Sequence, residues 1–275
     1  MKKNIIINIS VLLTVSLFSF VMTSCGDDEP SSTGGVGEKK STTYKVNGVS
    51  FTMVGVEGGT FNMGLLARFF DSEENFRRVT LSGYSIGQTE VTQELWQAVM
   101  GSNPSHFTGN PQRPVENVSW NACQNFISKL NKLTGKNFRL PTEAEWEFAA
   151  GGGNKSQNYI FSGSNNIYDV AWFDENVRNR YSSDSPDYGP HAVAMNKPNE
   201  LGLYDMSGNV FEWCQDWYGP YNNGTQTNPT GPSTGSYRVM RGGSWIHGMD
   251  WCIVTNRTWD APSFNEWYLG LRLAL

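Results

Sequence analysis

Residues 199–218, N-E-L-G-L-Y-D-M-S-G-N-V-F-E-W-C-Q-D-W-Y, hold the densest set of chemically capable side chains in the chain. Asp205, Glu212 and Asp216 stand among large aromatics there, and Gly202 and Gly208 interrupt any run long enough to nucleate a helix. The glycines let the backbone turn and approach a neighbour closely. Carboxylates beside apolar side chains are costly unless their charge is paired or bound to a metal. Carboxylates, free carbonyls and turn glycines together suit a hard cation such as calcium. A tight turn leading into a buried aromatic strand fits the same spacing.

Sulfur and imidazole are the other candidates. Cys123 falls on the apolar face of a predicted helix and Cys214 lies beside Trp213, so both read as core residues. Cys252 stands apart, beyond a glycine pair and five residues after His247. His106, His191 and His247 lack a zinc-type partner spacing. The run G-G-G-N at 151–154 has no Lys-Ser/Thr after it and reads as a helix stop, not a phosphate loop. Tryptophans and tyrosines at 213–221 and 245–268 suit either stacking on sugar rings or a buried aromatic core.

These groups need a scaffold. The chain has 275 residues, enough for one large domain or two small ones with a real core. Hydrophobic residues make up 38% and charged residues 17%, while 29 glycines and 10 tryptophans fill the difference. That profile predicts a loop-rich globule held by aromatic packing. The net charge of −5 argues against nucleic acid or an anionic membrane surface as an electrostatic partner.

In chain order, Lys2 and Lys3 precede an apolar run at 5–22, and M-T-S-C follows, ending at Cys25. This predicts a secretory signal over residues 1–25. Its last four residues resemble a bacterial lipobox, which implies a lipid anchor on Cys25. The G-D-D-E-P that follows resembles the surface-export signal of Bacteroidetes lipoproteins, so an outer-membrane, cell-surface location is expected. Residues 26–43 read as a flexible tether, and a folded domain is expected over 44–275.

Asn47-Gly48 predicts a type I′ hairpin between 44–46 and 49–54. Thr92 and Ser119 are predicted to cap helices over 93–100 and 120–133, stopped by Gly101 and Gly135. Thr142 with Glu145 predicts a capping box. The run at 168–173 is expected as a strand, 219–236 as a polar loop with a binding or lid role, and 238–245 as a strand.

Within 199–218, G-L-Y-D-M-S-G-N-V-F-E-W resembles the signature of the formylglycine-generating enzyme (sulfatase-modifying factor) family. V-E-G-G-T-F-N-M-G at 56–64, R-L-P-T-E-A-E-W-E-F at 139–148, R-G-G-S-W at 241–245 and G-L-R-L-A at 270–274 follow the same family's order. The resemblance implies an α+β, C-type-lectin-like fold with few helices and extensive loops. It also implies a structural calcium held by the carboxylates of Asp205 and Glu212 and the main-chain carbonyls of Gly208 and Val210.

In the enzymes of this family two cysteines bind copper(I) and oxidise a substrate cysteine to formylglycine. Their positions fall on His247 and Cys252 here, and the active-site serine falls on Ser244. Soft thiolates suit copper(I), and an imidazole in place of one of them changes the site. The expectation is a non-catalytic module that binds a glycan, a peptide or an envelope protein. A copper-dependent oxidase using His247 and Cys252 is the alternative.

Overall fold

The computed structural model describes residues 41–64, 77–221 and 224–275. Cys25, the signal segment and most of the tether lie outside them. The first strands follow from the turn chemistry: β1 (Ser41–Val46) and β2 (Val49–Val56) pair antiparallel across Asn47-Gly48. Both turn residues have positive φ, 46° and 91°, as a type I′ turn demands. β1 begins at Ser41, inside the segment expected as tether.

β3 (Gly59–Met63) and β4 (Arg77–Leu81) form a second antiparallel pair, and β5 (Tyr84–Gly87) joins the β2 edge. Three helices follow at the predicted places: α1 (Gln93–Met100), α2 (Trp120–Thr134) and α3 (Glu143–Ala150). The hydroxyls of Thr92, Ser119 and Thr142 each accept a bond from the N–H three residues on, and Glu145 completes the capping box of α3.

The strand expected at 168–173 does not form. The Asn166 side chain accepts from Tyr168 N and caps a short 3-10 turn, Ile167–Asp169. A fourth helix, α4 (Asp174–Arg180), follows directly. Its entry is set by Asn176, which accepts from Phe173 N at 2.9 Å and donates to Ala171 O at 2.8 Å. Val170, Ala171, Trp172 and Phe173 are buried because two packed clusters need their side chains, not because the backbone joins a ladder.

The C-terminal part supplies β6 (Phe211–Trp217), β7 (Gln226–Thr227), β8 (Arg238–Arg241), β9 (Arg257–Asp260) and β10 (Leu269–Gly270). One sheet runs β10-β6-β8-β9, a second β1-β2-β5, and a third β3-β4-β7. The polar loop at 219–236 therefore contributes a short strand, parallel to β4. β8 stops at Arg241, shorter than the expected 238–245, because Gly242 and Gly243 take positive φ. Helices α1 and α2 pack with β1, β2 and the strand β6 in one apolar cluster. Helix α3 packs on β3, β4 and β8 in another. The fold is α+β with few helices and long loops, and two of those loops carry the site.

Candidate functional site

The loop before β6 is held in a left-handed backbone at several points. Asp205, Gly208 and Asn209 have φ of 58°, 80° and 61°. Gly208 is needed for space as well as φ, since a Cβ there would lie 2.2 Å from Trp172 O. Asn209 ties the loop inward: its Oδ1 accepts from His191 N at 2.9 Å and its Nδ2 donates to Glu90 Oε2 at 2.8 Å. Glu90 also accepts from Val210 N at 3.1 Å.

Glu212, on β6, is fully buried. It accepts from Trp146 Nε1 at 2.7 Å and from the Arg272 guanidinium at 2.8–3.0 Å. Arg272 spends its other N–H groups on Gly87 O and Tyr204 O. Asp205 accepts from Ala194 N at 2.7 Å through Oδ2, while its buried Oδ1 has no hydrogen-bond partner. Three carboxylates, Glu90, Asp205 and Glu212, thus face the Arg272 cation. Burial, then the neighbouring acids, pushes Glu90 well above the usual carboxylate range. Burial first, and Glu212 as well, lifts Asp205 to about 6 against its bond from Ala194 and the charge of Arg272.

This environment fits a cation at Asp205, where an acceptor oxygen is orphaned and negative charge is in excess. Glu212 is already engaged by Arg272 and Trp146. Among the described residues no three His, Cys, Asp or Glu side chains are grouped as a metal site. An ion at Asp205 therefore needs main-chain carbonyls for most of its remaining ligands. Asp216, the third acid of this stretch, faces elsewhere: its Oδ2 accepts from Glu143 N at 3.0 Å at the start of α3.

The second loop runs from β8 to β9. Arg241, fully buried, anchors its start on Glu143 and Glu147 of α3 and on Val254 O and Asn256 O across the loop. Arg257 anchors its end on both oxygens of Glu143 at 2.7–2.8 Å. Gly242 and Gly243, at φ 98° and 73°, then turn the chain so that Trp245 N reaches Asn209 O at 2.9 Å. A Cβ on Gly243 would lie 2.8 Å from Cys252 Sγ. The two loops are thus bonded to one another.

This turn brings Ser244 and His247 together: Oγ and Nδ1 are 2.6 Å apart. The His247 ring sits among Phe211, Trp251 and Tyr268, with centroids 5.0–5.6 Å away. Burial lowers its pKa below the usual imidazole value, so the ring is neutral at pH 7. Trp251 keeps 36% of its surface exposed and forms an outer wall. Cys252 is placed differently. Its thiol is fully buried beside the cluster of Phe161, Ile167 and Phe173, and its hydrogen-bond contact runs to Gly248 O at 3.8 Å. Burial pushes that thiol far above its ordinary pKa, which keeps it protonated. Cys123 and Cys214 are also buried and unpaired.

The structure therefore assembles two neighbouring features from the sequence-predicted residues. Asp205, Gly208 and Val210 share the first loop with Glu212 at the start of β6, and Ser244 pairs with His247 on the second, with Cys252 beneath Gly243. Glu90 is a partner that no local pattern marks, since it reaches Val210 from 120 residues away; Arg272, within the G-L-R-L-A stretch, reaches Glu212 on β6 from 60 residues away. Glu116 was missed as well. It is fully buried, accepts from Phe107 N at 2.8 Å, and is pushed up to about 7 by burial. Of the aromatics considered for sugar stacking, Trp213 and Trp245 are core, whereas Trp251 and Trp259 keep 36% and 40% of their surface exposed.

The comparisons with known proteins agree with this architecture. The family model described as the sulfatase-modifying factor enzyme 1-like domain matches residues 40–275. "Chaperone protein LppX" of Paenibacillus barcinonensis is 35% identical over 74% of this chain and 81% of its own length. A formylglycine-generating enzyme of Streptomyces coelicolor is 35% identical over 65% of this chain, which spans 57% of that enzyme. The solved structure of Treponema denticola variable protein 1 superposes with a TM-score of 0.76 at 36% identity, covering 85% of this chain and 98% of that one. The chain belongs to the sulfatase-modifying factor (formylglycine-generating enzyme) family.

Proposed function

We propose that this protein is an exported lipoprotein whose family domain binds or assembles a partner and does not make formylglycine. One observation carries the reading: His247 occupies a position where the family's copper chemistry needs a thiolate, and it is committed to Ser244 at 2.6 Å. Cys252, the remaining sulfur, is fully buried beneath Gly243. Copper(I) at a two-sulfur site needs both thiolates converging on one ion. The two loops still form a fixed, aromatic-walled surface around Phe211, His247, Trp251 and Tyr268, suited to holding a peptide, a glycan or an envelope protein. The similarity to a relative named as a chaperone supports the assembly side of this reading.

Copper(I) titration of residues 26–275, unchanged and as His247→Cys, tests the assignment. Weak binding that tightens in the variant is expected. Equal, tight binding by the unchanged domain would favour the oxidase. The anchor is tested separately through Cys25: mass spectrometry should find lipid on the mature N-terminal cysteine, and Cys25→Ser should leave uncleaved precursor or release the protein from membranes. A mature protein with no lipid on its N-terminal residue, or Cys25→Ser processed and membrane-attached like the unchanged protein, would remove this part of the proposal.

A further inference from the structure

A cleft of about 520 Å³ opens beside β3 and α3, and none of Ser244, His247 or Cys252 lines it. Its volume lies in the range of small-molecule sites, about 300–1,000 Å³. Phe61 and Phe148 form an aromatic wall, with ring centroids 5.1 Å apart at 40°. Asn62, Asn158 and Thr255 are polar residues of its lining. Thr255 is the informative one. It is 4% exposed, and its Oγ1 has no hydrogen-bond partner. A buried hydroxyl without a partner is rare in folded proteins unless a ligand or solvent completes it.

The charge on the wall decides the ligand class. Among the described residues no Lys or Arg lines the cleft, so nothing there selects an anion. Its one acid, Glu147, is already engaged by Arg241 and by Gly64 N at 2.7 Å, so it does not call for a cation. What remains is an aromatic face with uncharged donors and acceptors at its edge. A sugar ring matches both: its C–H face packs on aromatic carbon, and its hydroxyls pair with amides and hydroxyls.

We propose that this cleft binds one neutral pyranose unit, free or at the end of a glycan. The site is separate from the Ser244–His247 surface and does not depend on how that surface is used.

The test uses the full chain in detergent with glucose, galactose, mannose, N-acetylglucosamine and glucuronic acid, by saturation-transfer NMR and calorimetry. At least one neutral sugar should bind at millimolar concentration, and glucuronic acid should bind no tighter. Phe61→Ala should weaken binding at least about tenfold, and Thr255→Val about 3–10-fold, the loss of one hydrogen bond. Thr255→Val should leave the melting temperature unchanged or raised, because it removes an unpaired buried hydroxyl. Binding should survive Ser244→Ala. A loss in Ser244→Ala would put the sugar on the loop surface, overturning this site while leaving the binding role intact. The inference also fails if none of the four neutral sugars binds, if neither cleft variant weakens binding, or if Thr255→Val destabilises the fold. Oligosaccharides ending in the best sugar distinguish a glycan terminus from the free sugar.

Discussion

Arg272→Met removes the guanidinium that faces Glu90, Asp205 and Glu212. In the native structure it donates to Glu212 at 2.8–3.0 Å and to the carbonyls of Gly87 and Tyr204 at 2.9 and 2.8 Å, and it is fully buried. Met keeps much of the volume and none of the charge, so the variant isolates electrostatics from packing. Removing one partner of a buried ion pair costs about 3–5 kcal/mol, because the other charge stays behind without compensation. Two carbonyls lose their donors as well, adding about 1 kcal/mol each. Against a total stability of about 5–15 kcal/mol, the variant should lose a third of its stability or more. Urea unfolding followed by tryptophan fluorescence reads this directly as a lower midpoint with an unchanged slope. Arg272→Met combined with Glu212→Gln should recover part of the loss, since Gln still accepts from Trp146 and carries no charge. A loss below about 1 kcal/mol, the size of an exposed pair, would refute the reading that this buried guanidinium ties Glu212 of β6 to Gly87 of β5 and Tyr204 of the loop.

Two further outcomes follow from other buried acids. Burial, reinforced by Glu143, raises Asp216 to about 7, above its unfolded value of about 3.9. Its contribution to stability is therefore complete below about pH 4 and is lost as the pH rises through about 7. Asp216→Asn should be more stable than the native protein at pH 8, by a few kcal/mol at about 1.4 kcal/mol per pKa unit, with the gap closing toward pH 4. Melting curves at both ends check this, and parallel pH profiles would contradict it. For the first loop, calcium held at Asp205 should raise the melting temperature. At a hundredfold excess over its dissociation constant the stabilisation is about 2.7 kcal/mol, absent in Asp205→Ala. If a chelator leaves the melting temperature unchanged and calorimetry records no heat, the loop is a turn alone.

Much of the scaffold was legible because its signals are local. Asn47-Gly48 fixes the first hairpin through φ, and the Thr92, Ser119 and Thr142 hydroxyls fix three helix starts through bonds three residues long. The run at 168–173 misled because its apolar residues are buried by tertiary packing, while Asn166 and Asn176 set its backbone. Helix α4 was hidden by its brevity, although Asp174 and Arg178 form an i,i+4 pair on it at 2.7 Å. Ser244 and His247 stand only three residues apart, yet their contact depends on the left-handed turn at Gly242-Gly243. Glu90, Arg272 and the cleft wall at Phe61, Phe148 and Thr255 are brought together by topology alone, which no spacing displays.

The proposed binding role rests on an imidazole, bonded to a serine, that stands where the family's copper chemistry needs a second thiolate. The most direct measurement is mass spectrometry of a cysteine peptide containing C-T-P-S-R after incubation with the purified protein, copper, reductant and oxygen. Recovery of the cysteine peptide with no aldehyde product is the expected result. A robust yield of aldehyde that disappears in Cys252→Ser would contradict it.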